Sequence, residues 1–188
     1  MARLSLTLFG GFRARLDPGQ ALVIAIKKSQ ALLAYLTLPL GEAHPRDKLA
    51  ALLWGDMQEA QARAGLRQTL YTLRKVLGDP EPLRLVGETV ALEPTLVAAD
   101  VQAFEQGVAR GSREALEEAV GLYRGDLLEG LTLQEPPFEE WLLAERLRLR
   151  ELAQDALARL LTQLGCLAWA VKESGLRVGR WEGEKVGR

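Results

Sequence analysis

The 188-residue sequence holds one cysteine, Cys166, one histidine, His44, and no asparagine. A lone cysteine cannot close an internal disulfide, and a single distant histidine does not complete a ligand set for structural zinc. The chain is therefore expected to carry no metal and no cofactor. It also lacks a Gly-rich phosphate loop ending in Lys-Ser or Lys-Thr, a Ser or Cys nucleophile with a histidine in view, and a carboxylate pair in an apolar setting. On that inventory an enzyme is not expected, and no catalytic residue is assigned. Long hydrophobic runs are missing too: the longest, ALLAYLTLPL, is too short to span a bilayer. The N-terminus has no basic region leading into an apolar core and a small-residue cleavage site. A cytoplasmic address and no membrane partner are expected.

What is present is an ordinary globular composition, 48% hydrophobic and 26% charged, with an uneven distribution of charge. Residues 1–94 hold twelve Lys and Arg against nine Asp and Glu, whereas residues 95–188 hold twelve against sixteen. A basic half followed by an acidic half suggests that the first meets a polyanion and the second does something else.

The opening RLSLTLFGGFRARLD alternates apolar and polar residues on both sides of Gly10-Gly11, which predicts a hairpin, and ALVIAI predicts a third strand. From Lys27 the period becomes helical, with Ala31, Leu32, Tyr35 and Leu36 on one face up to a stop at Pro39 and Gly41. A second helix begins near Pro45 and runs to Trp54, and a third begins near Gln58. LRLVGETVALEP around Gly87-Glu88 reads as a closing hairpin. Past Pro94 only helices are predicted: one capped by Asp100, one by Ser112, and a long one starting near Pro137. Tyr123, Phe138 and Trp141 read as core, Arg124 and Asp126 as residues fixing a loop, and Glu117 and Glu118 as solvated surface. Residues 166–188 read as a flexible tail.

The third helix, ARAGLRQTLYTLRKVLG, has two faces. Leu66, Leu70, Leu73 and Leu77 form a core stripe, while Arg63, Arg67, Gln68, Tyr71, Thr72, Arg74 and Lys75 occupy the rest, with no Asp or Glu from Ala60 to Gly78. Arginines that reach phosphates or guanine edges, and a glutamine that pairs with adenine, are the inventory of a major-groove reader. Helix, turn, helix and a following hairpin is the winged form of that motif.

Residues 3–94 resemble the OmpR-like winged-helix domain, in the version found in the Streptomyces antibiotic regulatory protein (SARP) family. The matching segments are KKSQALLAYLTL, HPRDKLAALLWGD and ARAGLRQTLYTLRKVLG. DVQAFEQ, ALEEAVGLYRGDLLEGL and FEEWLLAERLRLRELAQDAL resemble that family's second module, the bacterial transcriptional activator domain. The fold class implied is mainly α with a small β component: a winged helix-turn-helix over 1–94 and a helical, tetratricopeptide-like array over 95–165. The resemblance implies that Arg67, Gln68, Tyr71 and Thr72 read bases. It implies phosphate contacts from Lys27, Lys28, Arg46, Lys48, Arg63, Arg74, Lys75 and, in the wing, Arg84. The implied partners are double-stranded DNA, as direct repeats, a second copy of the chain, and RNA polymerase, for a transcriptional regulator that activates. The competing expectation is an adaptor whose basic helix meets protein. The array resembles a truncated one, so Leu157, Leu160, Leu161 and Trp169 are expected to be covered by a second copy or by the tail.

Overall fold

A computed structural model describes residues 4–173, with side chains through residue 165. Strands β1 (Leu4–Thr7) and β2 (Arg13–Leu16) pair antiparallel, with Leu4 opposite Leu16 and Thr7 opposite Arg13. β3 (Gln20–Leu22) adds to the outer side of β2. The alternation seen in the sequence sets this register: Leu4 and Leu6 are buried and Ser5 is exposed, so a slip by one would expose the leucines.

Helix α1 (Lys27–Thr37) is buried continuously from Ala31 to Thr37 and forms the centre of the molecule, which is why it is apolar almost all round. α2 (Arg46–Leu53) and α3 (Glu59–Leu77) follow, then β5 (Leu83–Val86) and β6 (Thr89–Leu92), which form the expected hairpin across Gly87-Glu88. Gly87 sits at φ 54°, a conformation glycine supplies without strain. His44 and Pro45 form a two-residue strand, β4, which pairs antiparallel with β6 and gives the sheet order β4-β6-β5.

The sequence predicts only helices past Pro94, but the structure places a strand there. β7 (Val97–Ala99) pairs parallel with β1 and completes a sheet of order β3-β2-β1-β7. Three residues are too few to show a period, and the pairing comes from a strand more than ninety positions away.

Helices α4 (Asp100–Arg110), α5 (Arg113–Leu122) and α6 (Pro136–Glu173) make up the second half. Ser112 caps α5 as expected, its hydroxyl accepting the Ala115 N–H at 3.3 Å. Asp100 is the first residue of α4, not its cap. Its carboxylate accepts the Val101 N–H at 2.9 Å and, from across the fold, those of Leu8 at 2.9 Å and Phe9 at 3.0 Å. Burial pushes the Asp100 carboxyl up, and these donors pull against it.

Phe138 is fully buried, and Trp141 and Tyr123 are half-buried against the core. Of the two residues expected to fix the loop, Asp126 does so through the Tyr123 hydroxyl at 3.2 Å and Arg150 at 2.7 Å. Arg146 adds bonds to the Leu127 and Leu128 carbonyls at 2.8 and 2.9 Å.

α6 runs on to Glu173, into the stretch read as a tail, because LAWAVKE contains no glycine or proline to stop it. Residues 174–188 and the Trp169 side chain lie outside the described residues. Leu160 is buried by its own chain, whereas Leu157 and Leu161 are exposed. One continuous core joins both halves: Phe9 packs on Phe104 and Tyr123, with ring centroids 5.4 and 4.9 Å apart.

Candidate nucleic-acid interface

α3 begins after Gln58 and ends at Gly78, whose φ of 65° turns the chain out of the helix. Leu66, Leu70, Leu73 and Leu77 are all buried, and each stabilises the packing of α3 by about 1.5–3 kcal/mol relative to exposure. That packing fixes the rotation of the helix and so decides what faces out. Glu59 in the first turn, and Arg74 and Lys75 in the last, also complement the helix dipole.

Ala64, Arg67, Gln68 and Tyr71 lie side by side along one open notch, and Tyr71 is 61% exposed. The Thr72 hydroxyl donates to the Gln68 carbonyl at 2.9 Å, which fixes its rotamer, and Lys75 Nζ stands 5.9 Å from the Tyr71 ring. Arg67 and Gln68 have no side-chain partner among the described residues, so their donors and acceptors are available to a ligand.

The flanking cations are in a different state. Arg63 is bound bidentately by Asp47 (2.9 and 3.2 Å) and also by Glu59 at 2.7 Å. Arg74 pairs with Glu81, and Arg84 in the wing pairs with Glu93 at 3.4 Å. Lys48 Nζ lies 5.8 Å above the Tyr35 ring. The helix lacks carboxylates of its own past Glu59, but its neighbours in space supply them. Glu59 was legible as a partner, four residues before Arg63. Asp47, Glu81 and Glu93 were not, because their contacts depend on how α2 and the wing fold against α3.

Between the start of α2, α3 and the tip of the hairpin lies a cavity of about 370 Å³, lined by Arg46, Asp47, Arg63, Leu66, Arg67, Leu70 and Glu88. The Arg46 backbone N–H donates to the Glu88 carbonyl at 2.9 Å, so the hairpin holds the start of α2, and the Arg46 Nε is buried without a partner. Three arginines and two carboxylate residues thus line one opening, and the Arg63 guanidinium is already held by Asp47 and Glu59.

Lys27 and Lys28 are placed apart from this face. Lys27 Nζ donates to the Thr132 carbonyl at 3.4 Å, and Lys28 Nζ binds Glu135 at 2.6 Å while lying 4.8 Å from the Trp54 ring. Both point to the helical half.

Residues 91–179 match the family described as the bacterial transcriptional activator domain. The chain carries a bacterial transcriptional activator domain. With the winged helix that precedes it, the order of modules is similar to that of the SARP-like regulators. The regulatory protein AfsR of Streptomyces coelicolor is 31% identical over 184 aligned positions, covering 88% of this chain and 17% of AfsR. This chain thus spans about a sixth of that relative. A solved structure of Mycobacterium tuberculosis EmbR in complex with a low-affinity phosphopeptide has a TM-score of 0.63 at 24% identity, covering 94% of this chain and 52% of EmbR, and shows the same fold. In this chain the activator domain begins within β6, so it includes β7 and all three helices of the second half. No helix among the described residues is long and apolar enough to cross a membrane.

Proposed function

We propose that this chain is a sequence-reading DNA-binding module of a transcriptional regulator, with α3 in the major groove. The observation that carries this reading is the state of Arg67 and Gln68: exposed, adjacent and unpartnered on a helix whose opposite side is locked by four leucines. With Tyr71 and Thr72 they form the base-reading set, Arg67 suited to guanine, Gln68 to adenine, and Tyr71 and Thr72 to a thymine methyl or a phosphate. Arg46, Lys48 and Lys75 form the phosphate-contacting rim, joined by Arg63 and Arg74 when phosphates displace Asp47, Glu59 and Glu81. The wing contributes little charge, since Arg84 is its one basic residue and is paired with Glu93. The activator domain acts in assembly, with a second copy on direct repeats, with RNA polymerase, or with both. Leu143, Leu147, Leu157 and Leu161, exposed along α6, support that role.

Selection of bound duplexes from a random pool tests the reading, repeated with Arg67→Ala and Gln68→Ala. A short enriched site that relaxes in both variants is expected. Binding that ignores sequence and survives moderate salt would instead mark the basic face as a protein-binding surface.

A further inference from the structure

We propose that Glu135 is a positioning residue for α3, through which the activator domain holds the reading helix in place. This rests on the DNA-reading function proposed above. Glu135 is 7% exposed and immediately precedes α6, and its backbone carbonyl accepts the Phe138 and Glu139 N–H groups, both at 3.0 Å. The first turn of α6 therefore fixes the Glu135 backbone, from which the carboxylate reaches the turn after α2. One oxygen takes the Lys28 ammonium at 2.6 Å, and the other takes the Gly55 N–H at 3.1 Å. Gly55 lies in the turn of the helix-turn-helix, just past α2. A Cβ there would come 3.5 Å from the Pro137 ring and 2.9 Å from the Ala51 carbonyl, so the turn and the start of α6 are in close approach.

The contact continues into α3. Lys28 Nζ sits 4.8 Å from the Trp54 ring, and the Trp54 indole lies against the bare backbone of Gly65, where a Cβ would be 2.7 Å from Nε1 and 2.8 Å from Cε2. Gly65 is two and three residues before Arg67 and Gln68. A chain of packed groups thus runs from the start of α6 through Glu135, Lys28, Gly55 and Trp54 to the reading face. Both bonds of Glu135 are charge-assisted, and its own side chain is nearly buried, which makes them stronger and more directional than neutral bonds. Because α6 is one helix through Glu173, a partner that shifts it also shifts Glu135. The coupling is reciprocal: DNA held by α3 steadies the start of α6.

The test is Glu135→Gln in the full chain, read by duplex binding across a salt series and by amide hydrogen exchange. Glutamine keeps the volume and removes the charge. Expected are an affinity loss of roughly tenfold, an unchanged salt slope and the same selected site. Exchange should quicken at Gly55 and around Gly65 while α4 keeps wild-type protection. Unchanged affinity with unchanged exchange overturns the proposal. So does a salt slope shallower by about 0.9, which would mean that a phosphate contact had been lost. If the wild-type chain binds no duplex, the DNA-reading function fails and exchange alone decides: selective loosening at Gly55 and Gly65 sustains the strut, and none overturns it. Lys28→Gln is the second variant, expected to act in the same direction and more weakly. Loss of protection in α4 with both variants would make Glu135 a general core residue and would also overturn the proposal.

Discussion

The Tyr35 ring of α1 lies 4.9 Å from the Trp141 ring of α6, inclined at 61°, and brings the central helix of the winged half against the long helix of the activator domain. Edge-on aromatic pairs add about 0.5–1.5 kcal/mol beyond their buried area. Trp141→Ala should cost about 2–4 kcal/mol, less than the full range for a completely buried tryptophan. Because the core is continuous, the loss should lower one shared unfolding midpoint. Denaturant titration followed by far-ultraviolet dichroism and by exchange in α3 and α5 checks this; separate midpoints for the two halves would contradict it.

His44 packs 5.1 Å from the same tyrosine, and both of its ring nitrogens are buried without partners. Burial holds its pKa below the ordinary value of 6.5, with Lys48 adding to the shift and Glu42 opposing it. The unfolded chain therefore binds the proton first on acidification. The stability His44 contributes is fully present above about pH 6.5 and falls as the pH drops through the interval below it. Denaturation midpoints at pH 7.5 and 5.5 should differ for the native sequence. His44→Leu should flatten that difference.

Asp47 and Glu59 occupy the Arg63 guanidinium, which a phosphate would take in the proposed DNA complex. Asp47→Asn should tighten duplex binding roughly threefold and steepen the salt slope by up to about 0.9, because a further cation becomes available to displace counterions. In an Arg63→Ala background the same substitution should do nothing. Weaker binding by Asp47→Asn alone would show that Asp47 aims Arg63 and does not compete for it.

Two glycines in helices call for opposite outcomes. At Gly107 in α4 a Cβ would stand 2.9 Å from both the Ala115 carbonyl oxygen and the Ala119 Cβ, so Gly107→Ala should destabilise by about 1–3 kcal/mol despite alanine's better helix propensity. At Gly121 in α5 nothing lies within 4 Å, and Gly121→Ala should stabilise by about 0.5–1 kcal/mol. Thermal unfolding of the two variants side by side reads both signs.

The strongly periodic parts of the sequence were legible without coordinates. Leu66, Leu70, Leu73 and Leu77 repeat often enough to fix the buried side of α3, and the alternation around Gly10-Gly11 sets the β1–β2 register. What escaped is long-range. Val97–Ala99 has no period of its own, and only β1 turns it into a strand. The neutralisation of Arg63, Arg74 and Arg84 was hidden for the same reason, since three of the four carboxylates involved are not at helical spacing from the arginine they bind. Lys27 and Lys28 sit at the start of a helix, where a phosphate contact is a natural expectation. Their rotation toward Thr132 and Glu135 depends on where the second half docks.

The parallel pairing of β7 with β1 limits how this architecture can be recombined. A gene joint at Pro94, where composition changes, would part Leu4 and Leu6 from their strand partners Val97 and Ala99, and leave the Leu8 and Phe9 amides without the Asp100 carboxylate. Swapping the winged helix between relatives needs a joint beyond Asp100, or the simultaneous transfer of the strand that follows it. The unit of exchange is therefore longer than the winged helix itself, and α3 travels with part of its neighbour.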